Sequence, residues 1–409
     1  MSQTLPHAVQ AGVDRRRLRR AEHLLEQWVD AGRLPGWSLL VARHGEVVRR
    51  ASGGWRDVEA RRPVDDRTIF RIYSMTKPIT SVAALALFEQ GLFELTDPID
   101  RYLPAFSSPR VYRDGPPEQP TTVPATEPIR VWHLLTHTAG LTYGFHRTHP
   151  VDALYRRAGF DFGWPAGIDL AAACDRLATL PLLFEPGSSW TYSVATDVLG
   201  RLLEVVTGQS LDEVLRTTVL EPIGMGDTGF AVPALRHDDV AAVYTPDPQG
   251  GGLRRLPALD VVPATPPLCL SGGGGLFSTL DDYHRFTQLL LGEGAVDGQR
   301  VLAPATVALM AANHLPGGAD LEQFGRRLYA EVPFDGMGFG LGVSVLVDPV
   351  RARSLSAAGE LAWGGAASTT FWVDPARGLS VVLLTQLMPS NALPLRTRLR
   401  TLVNQALVS

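Results

Sequence analysis

Lysine is almost missing from this chain. Of 38 Lys+Arg residues only Lys77 is a lysine, so arginine fills every other cationic position. Cysteine is nearly as scarce: Cys174 and Cys269 are far apart in sequence and in no C-x-x-C arrangement. That excludes a disulfide framework and fits two reduced, buried thiols. Charge of one sign is lacking too, since a net charge of −4 and a pI near 6.2 give no bulk pull toward nucleic acid or anionic membrane. No stretch reaches the roughly 18 apolar residues that a spanning helix needs. The opening "MSQTLPHAVQAGVDRRRLRR" carries charge but no apolar segment of signal-peptide type. A cytoplasmic protein with no membrane and no nucleic-acid partner is expected. G-x-S-x-G is absent as well, which leaves a nucleophile-elbow hydrolase without its serine.

What is present is ordinary for a folded protein: 409 residues, 45% hydrophobic and 20% charged, enough for two or three domain-sized units. Leu18, Ala21, Leu24, Leu25, Trp28 and Val29 recur at helical spacing near the start. "GWSLLVARHGEVVRRASGGW" reads as two strands turning at His44-Gly45, and "SVAALALFEQG" as an apolar helix stopped by Gly91. "RDGPPEQPTTVPATEP" reads as a proline-rich loop, and residues 129–230 as helices broken by turns. "STLDDYHRFTQLLLGEG" resumes a helix with Ser278 at its N-cap. "FGLGVSVLV", "ASTTFWVD" and "LSVVLLTQ" then read as strands, and Leu395, Leu399, Leu402 and Val403 mark a last helix. The expectation is an α+β protein: a sheet domain from residues 1–90 and 260–409, and a mostly helical domain, 91–259, inserted between them.

The lone lysine stands in "FRIYSMTKPIT". If Ser74 opens a helix, Ser74 and Lys77 are i and i+3 and share a face. Pro78 is tolerated in a first turn, and the helix start offers free N–H groups to a developing oxyanion. A serine hydroxyl needs a base to become a nucleophile. Arginine cannot serve, whereas a lysine amine, ordinarily near pKa ~10.4, can be lowered by burial or a neighbouring cation. S-x-x-K is nonetheless a short pattern, and codon bias also favours arginine over lysine. Taken alone, the residues leave a solvated helix start open.

Further segments supply context. "EPGSSWTYSVATDVLG" sets Tyr192 in a turn before a helix, and "LAWGGAASTTFWVD" puts Gly364-Gly365 just ahead of a strand. "HLLTHTAGLTYGF" ends a helix and enters an aromatic loop, and "SGGGGLFST" is a glycine run. In this order the segments resemble the penicillin-recognizing serine hydrolases: class C β-lactamases, D,D-peptidases and the family VIII carboxylesterases. The resemblance spans nearly the whole chain. It implies a β-lactamase-like fold, an antiparallel sheet flanked by helices, with no metal or organic cofactor. It also implies Ser74 as the nucleophile that forms an acyl-enzyme, and Lys77 with Tyr192 as the pair that moves the proton. The oxyanion hole would be the backbone N–H groups of Ser74 and Ala366, the latter on the strand after the glycine pair.

Two positions depart from the lactamase pattern. Val194 stands third in the tyrosine motif, where those enzymes usually carry asparagine, and Trp363 opens the third motif in place of lysine or histidine. "YSV" with "WGG" looks like the esterase branch, so a small-molecule, short-chain ester is the expected substrate. Tyr143, Val194, Trp363, Gly364 and Gly365 are expected to line its pocket. The rivals are a β-lactamase or D-amino-acid peptidase of the same fold, and a binding module that kept the fold and lost turnover. His133 and His137 make an H-x-x-x-H spacing, read as hydrogen bonding around a turn because no third ligand stands out. The glycine run lacks G-K-[ST] and reads as close backbone packing. Asp197 reads as a structural hydrogen-bond partner, and Trp37, Trp55 and Trp372 as core.

Overall fold

Residues 36–57 form the hairpin their pattern predicts. Strand β1 (Gly36–Arg43) is buried along its whole length and β2 (Glu46–Asp57) is half-buried. His44 and Gly45 turn between them, both at positive φ (51° and 79°), as a tight hairpin with right-handed twist requires. The computed structural model describes residues 9–326 and 334–408; residues 1–8, part of the segment read above for a signal sequence, lie outside the described residues.

The hairpin is half of a sheet completed from the other end of the chain. Short β3 (Arg62–Pro63) extends it, and β4 (Met337–Phe339), β5 (Ser344–Leu346), β6 (Leu361–Gly364), β7 (Thr370–Asp374) and β8 (Leu379–Thr385) join from the C-terminal side. The eight strands run antiparallel in the order β4-β5-β6-β7-β8-β1-β2-β3. The seam between the two halves is β8 on β1, with Leu379 opposite Arg43 and Thr385 opposite Trp37.

Both faces of this sheet are covered, which is why its central strands read as nearly unbroken apolar runs. Leu39, Val41, Val381, Leu383 and Trp372 point into one core, with Leu18, Leu25 and Trp28 of α1 (Arg15–Asp30). Leu40, Ala42, Val382, Leu384 and Phe371 alternate into the other, the larger core that also holds α2 (Thr76–Glu89). Every residue of α2 from Thr76 to Leu87 is buried, so it is the central helix of the molecule. Against it pack α3 (Ala195–Thr207) and the helical turns of residues 211–220, while α4 (Leu280–Leu291) lies on β7, β8 and β1; α5 (Leu395–Asn404) joins α1 on the opposite face, burying Leu395, Leu399 and Val403. The mixed, antiparallel, helix-flanked architecture is the one expected.

Local departures have local causes. The proline-rich stretch is a ribbon at both ends, Val111 opposite Val123, because its prolines fall outside the paired positions or at the edge. "FGLGVSVLV" is two strands, broken where Gly342 turns at φ 89° against Ser81 of α2. The cap of α4 is Thr279, one residue later than expected, its side chain accepting from Asp282 N. Trp55 is 38% exposed rather than core, since β2 lies near the sheet edge.

Candidate active site

The chain enters α2 through a strained corner. Phe70–Arg71 pairs with Phe277–Ser278, and Tyr73 then takes φ 45°, a left-handed value uncommon for a bulky residue. Such a conformation persists only when its surroundings over-determine it. Here Ile72 N donates to Leu276 O (3.1 Å), Met75 N to Ile72 O (3.0 Å), and the Tyr283 hydroxyl to Met75 O (2.9 Å). Ser74 therefore sits in a single 3₁₀ turn ahead of α2 rather than inside it. Its N–H has no acceptor among the described residues.

Lys77 lies one turn on and is 1% exposed. Its ammonium donates to Gly273 O at 2.7 Å and to the Tyr143 hydroxyl at 3.0 Å, and makes a longer contact, 3.4 Å, to Ser74 Oγ. It also stands 4.5 Å from the centroid of the Tyr192 ring. A buried ammonium needs all of its donors occupied, and these contacts with the ring face do so. The scarce lysine is therefore no solvated helix start.

The sequence pairs Lys77 with Tyr192; in the structure the phenol hydrogen-bonded to it is Tyr143. Tyr192 offers its ring face, and its hydroxyl has no hydrogen-bond partner among the described residues. Burial, with Asp197 and Tyr192 nearby, pushes the Tyr143 phenol well above its ordinary value, so it stays neutral near pH 7. Tyr143 was expected only as a pocket aromatic; nothing in the spacing of "HTAGLTYGF" points to Lys77.

Gly273 carries a second unforeseen contact. Its carbonyl takes Lys77 while its N–H goes to the buried Asp197 carboxylate (2.9 Å), which also accepts from Ser271 Oγ (2.6 Å). A Cβ at Gly273 would stand 2.5 Å from Asp197 Oδ2, so the glycine run packs backbone closely, as expected. Burial raises the Asp197 carboxyl, and the Lys77 charge and these two hydrogen bonds oppose the rise.

Across the site, Gly364 ends β6 and Gly365 begins a turn to β7. Ala366 thus lies in the turn, not on a strand, because Gly365 N closes on Thr369 O (2.9 Å) and Ser368 N on Gly365 O (3.2 Å). A Cβ at Gly365 would collide with Ile72 O and Thr369 Oγ1; Thr369 Oγ1 itself donates to Ile72 O (3.4 Å). This ties the turn to the corner that carries Ser74. The Ala366 N–H, like that of Ser74, has no acceptor among the described residues.

Ser74, Tyr143, Tyr192, Val194, Trp363, Gly364, Gly365 and Ala366 all line one cavity of about 740 Å³, with Lys77 buried behind its wall. Phe145, Phe160, Phe162, Trp164, Met337 and Leu259 make the rest of it largely apolar. Arg396, on α5, reaches the same wall, a cation that sequence reasoning missed because its helix reads only as an amphipathic C-terminus. The two histidines do not converge on a ligand. His133 Nδ1 accepts from Arg130 N (3.0 Å) and His137 Nδ1 faces Ser193 Oγ (3.0 Å), and burial pushes His133 down to about 4. Among the described residues no group of His, Cys, Asp and Glu could hold a metal ion, and no helix is long and apolar enough to cross a membrane.

Such an arrangement, a serine beside a buried amine and two unpaired N–H groups at an apolar cavity, has the parts for acyl transfer. A family model described as Beta-lactamase matches residues 21–405. Protein Rv1367c of Mycobacterium tuberculosis is 39% identical over 364 residues, 88% of this chain and 88% of its own. Esterase EstB of Burkholderia gladioli is 35% identical over 383 residues, 90% of this chain and 89% of its own. Among solved structures, EstCE1, a hydrolase with promiscuous acyltransferase activity, superposes with a TM-score of 0.80 at 31% identity, over 95% of this chain and 99% of its own.

Proposed function

Given that the chain belongs to the beta-lactamase family and is an enzyme akin to its esterases and acyltransferases, we propose that it is a serine carboxylesterase working through an acyl-Ser74 intermediate. Ser74 Oγ attacks the ester carbonyl as its proton passes to the Lys77–Tyr192 pair. The oxyanion is held by the N–H groups of Ser74 and Ala366. The leaving alcohol takes the proton, and water, activated by the same pair in reverse, attacks the acyl carbonyl and frees Ser74. No metal or organic cofactor enters this scheme, and the substrate is a short-chain ester. The cytoplasm is the proposed compartment, in keeping with two free cysteines.

One observation carries the reading. The chain's single lysine is buried 3.4 Å from a serine whose own N–H is left unpaired at an apolar cavity. The test is hydrolysis of p-nitrophenyl acetate and butyrate, with intact-mass detection of the acyl-enzyme. Turnover that survives Ser74→Ala sinks the assignment, and nitrocefin turned over much faster than esters favours the lactamase rival.

A second reading has its own support. A cavity of about 740 Å³ exceeds what a short-chain ester fills, so an alcohol can sit beside the acyl group and intercept it in place of water. Ester formation that rises with added alcohol, at the expense of free acid, would favour acyl transfer.

A further inference from the structure

The turn that carries Ala366 is gripped from behind by an arginine. Arg396 Nη2 donates to Gly365 O at 2.7 Å and to Thr369 O at 3.1 Å. The guanidinium reaches these carbonyls because Gly364 has no side chain: a Cβ there would stand 2.6 Å from Arg396 Cζ. Both glycines of the pair are thereby accounted for, Gly365 by the Ser74 corner and Gly364 by the arginine.

The Gly365 carbonyl and the Ala366 N–H belong to one peptide unit, and that unit is conjugated. A charged donor on the oxygen draws electron density from the amide and strengthens its N–H as a hydrogen-bond donor, an effect larger in a low-dielectric site. The same contact, with the second one to Thr369 O, fixes the direction of the N–H. Preorganised donors of this kind are where most transition-state stabilisation of acyl transfer arises.

We infer that Arg396 is a positioning residue for the oxyanion site, acting through the Gly365–Ala366 peptide: its guanidinium holds and polarises the carbonyl so that the Ala366 N–H binds the developing oxyanion. This rests on the acyl-Ser74 reading. It gives the cation at this wall a role other than binding a substrate carboxylate, since its Nη2 is turned to two backbone oxygens.

The test compares wild type with Arg396→Lys and Arg396→Ala, the latter with and without tens of millimolar guanidinium chloride. Three readouts are taken: thermal unfolding, kcat and KM for p-nitrophenyl butyrate, and the infrared carbonyl stretch of the acyl-enzyme formed by a slowly deacylating aromatic ester. Loss of one oxyanion donor typically lowers kcat by about 10²–10³, so weakening one is expected to lower it about tenfold to a hundredfold. KM should stay within about threefold, and the acyl carbonyl band should move to higher frequency as its hydrogen bond weakens. Arg396→Lys, which can hold one carbonyl as a point charge, should fall between, and guanidinium should restore part of kcat and of the band position.

A folded Arg396→Ala enzyme with kcat within twofold of wild type overturns the inference. So does a fall in kcat with an unmoved carbonyl band, which would make Arg396 only a prop for the turn. If neither variant folds, the inference also fails, because it assigns a contribution separable from folding. Failure of the underlying reading looks different: wild type then carries no acyl group on Ser74, and Ser74→Ala keeps its turnover.

Discussion

Replacing Lys77 with arginine keeps the charge and removes the amine. Lys77 Nζ meets Gly273 O, Tyr143 Oη and Ser74 Oγ within 3.4 Å from a single atom, and the residue is 1% exposed. A guanidinium is planar and longer, and its five N–H groups spread in a fixed fork, so it cannot converge on these three directions from one point. The extra length would press on Ser74 and the Tyr192 ring, 4.5 Å from the ammonium. It also cannot give up a proton at any usable pH. Positioned acid–base groups contribute about 10²–10⁴ in rate, and members of one catalytic unit fail together. The expected loss in kcat/KM is therefore about 10³–10⁴, or about 4–5.5 kcal/mol at 1.36 kcal/mol per decade. The assay is p-nitrophenyl butyrate hydrolysis at saturating and limiting substrate, with thermal unfolding to confirm that the variant is folded. A folded Lys77→Arg enzyme within tenfold of wild type would refute the reasoning and reduce the lysine to an accident of codon usage.

Three further outcomes are expected. Tyr192→Phe should lower kcat by about 10²–10⁴ as a lost proton carrier, and Tyr143→Phe by only about tenfold to a hundredfold, as a lost hydrogen bond to a buried ammonium. The reverse order in side-by-side kinetics would move the proton route to Tyr143. Gly365→Ala, whose Cβ meets Ile72 O and Thr369 Oγ1, should displace the Ala366 N–H and lower kcat by about 10²–10³ with Ser74 still present; unchanged kcat would exclude that N–H from the site. Asp282 accepts from Asp227 N and Thr228 Oγ1, both at 2.8 Å, yet burial raises its carboxyl from 3.8 to about 6. Between those values the folded state binds more protons than the unfolded, so its contribution to stability is complete below about 4 and lost as pH rises through about 6. Asp282→Asn should remove that slope, raising Tm at pH 7 relative to wild type but not at pH 4; parallel pH–Tm curves would contradict it.

Much of this was legible in the sequence, and the reason differs from place to place. Strands β1 and β8 announce themselves as apolar runs because both of their faces are buried, and the His44-Gly45 turn because few residue types accept positive φ. Ser74 and Lys77 are legible because their relation is local, one turn of chain. Tyr192, Trp363 and the glycine pair were found through resemblance, since no local rule joins residues more than a hundred positions apart. What stayed hidden is the set of contacts made through backbone. Lys77 meets Gly273, and Arg396 meets Gly365, across 196 and 31 positions. A carbonyl has no letter in a sequence, so a cation that binds one leaves no pattern.

Those hidden contacts share a geometry that explains why glycines crowd the site. Lys77 is held by the carbonyl of Gly273, whose own N–H is held by Asp197; Arg396 holds the carbonyl of Gly365, at the turn whose next N–H opens on the cavity. In each case a cation approaches a main-chain oxygen where a neighbouring Cβ would collide, with Asp197 at Gly273 and with Arg396 at Gly364. Main-chain carbonyls meet the Lys77 ammonium and Arg396 Nη2, and both carbonyls belong to short turns tied to their neighbours by hydrogen bonds. Ser74 is then flanked by main-chain groups on two sides, the β6–β7 turn and the glycine run, with the 3₁₀ turn ahead of α2 presenting the proposed nucleophile between them.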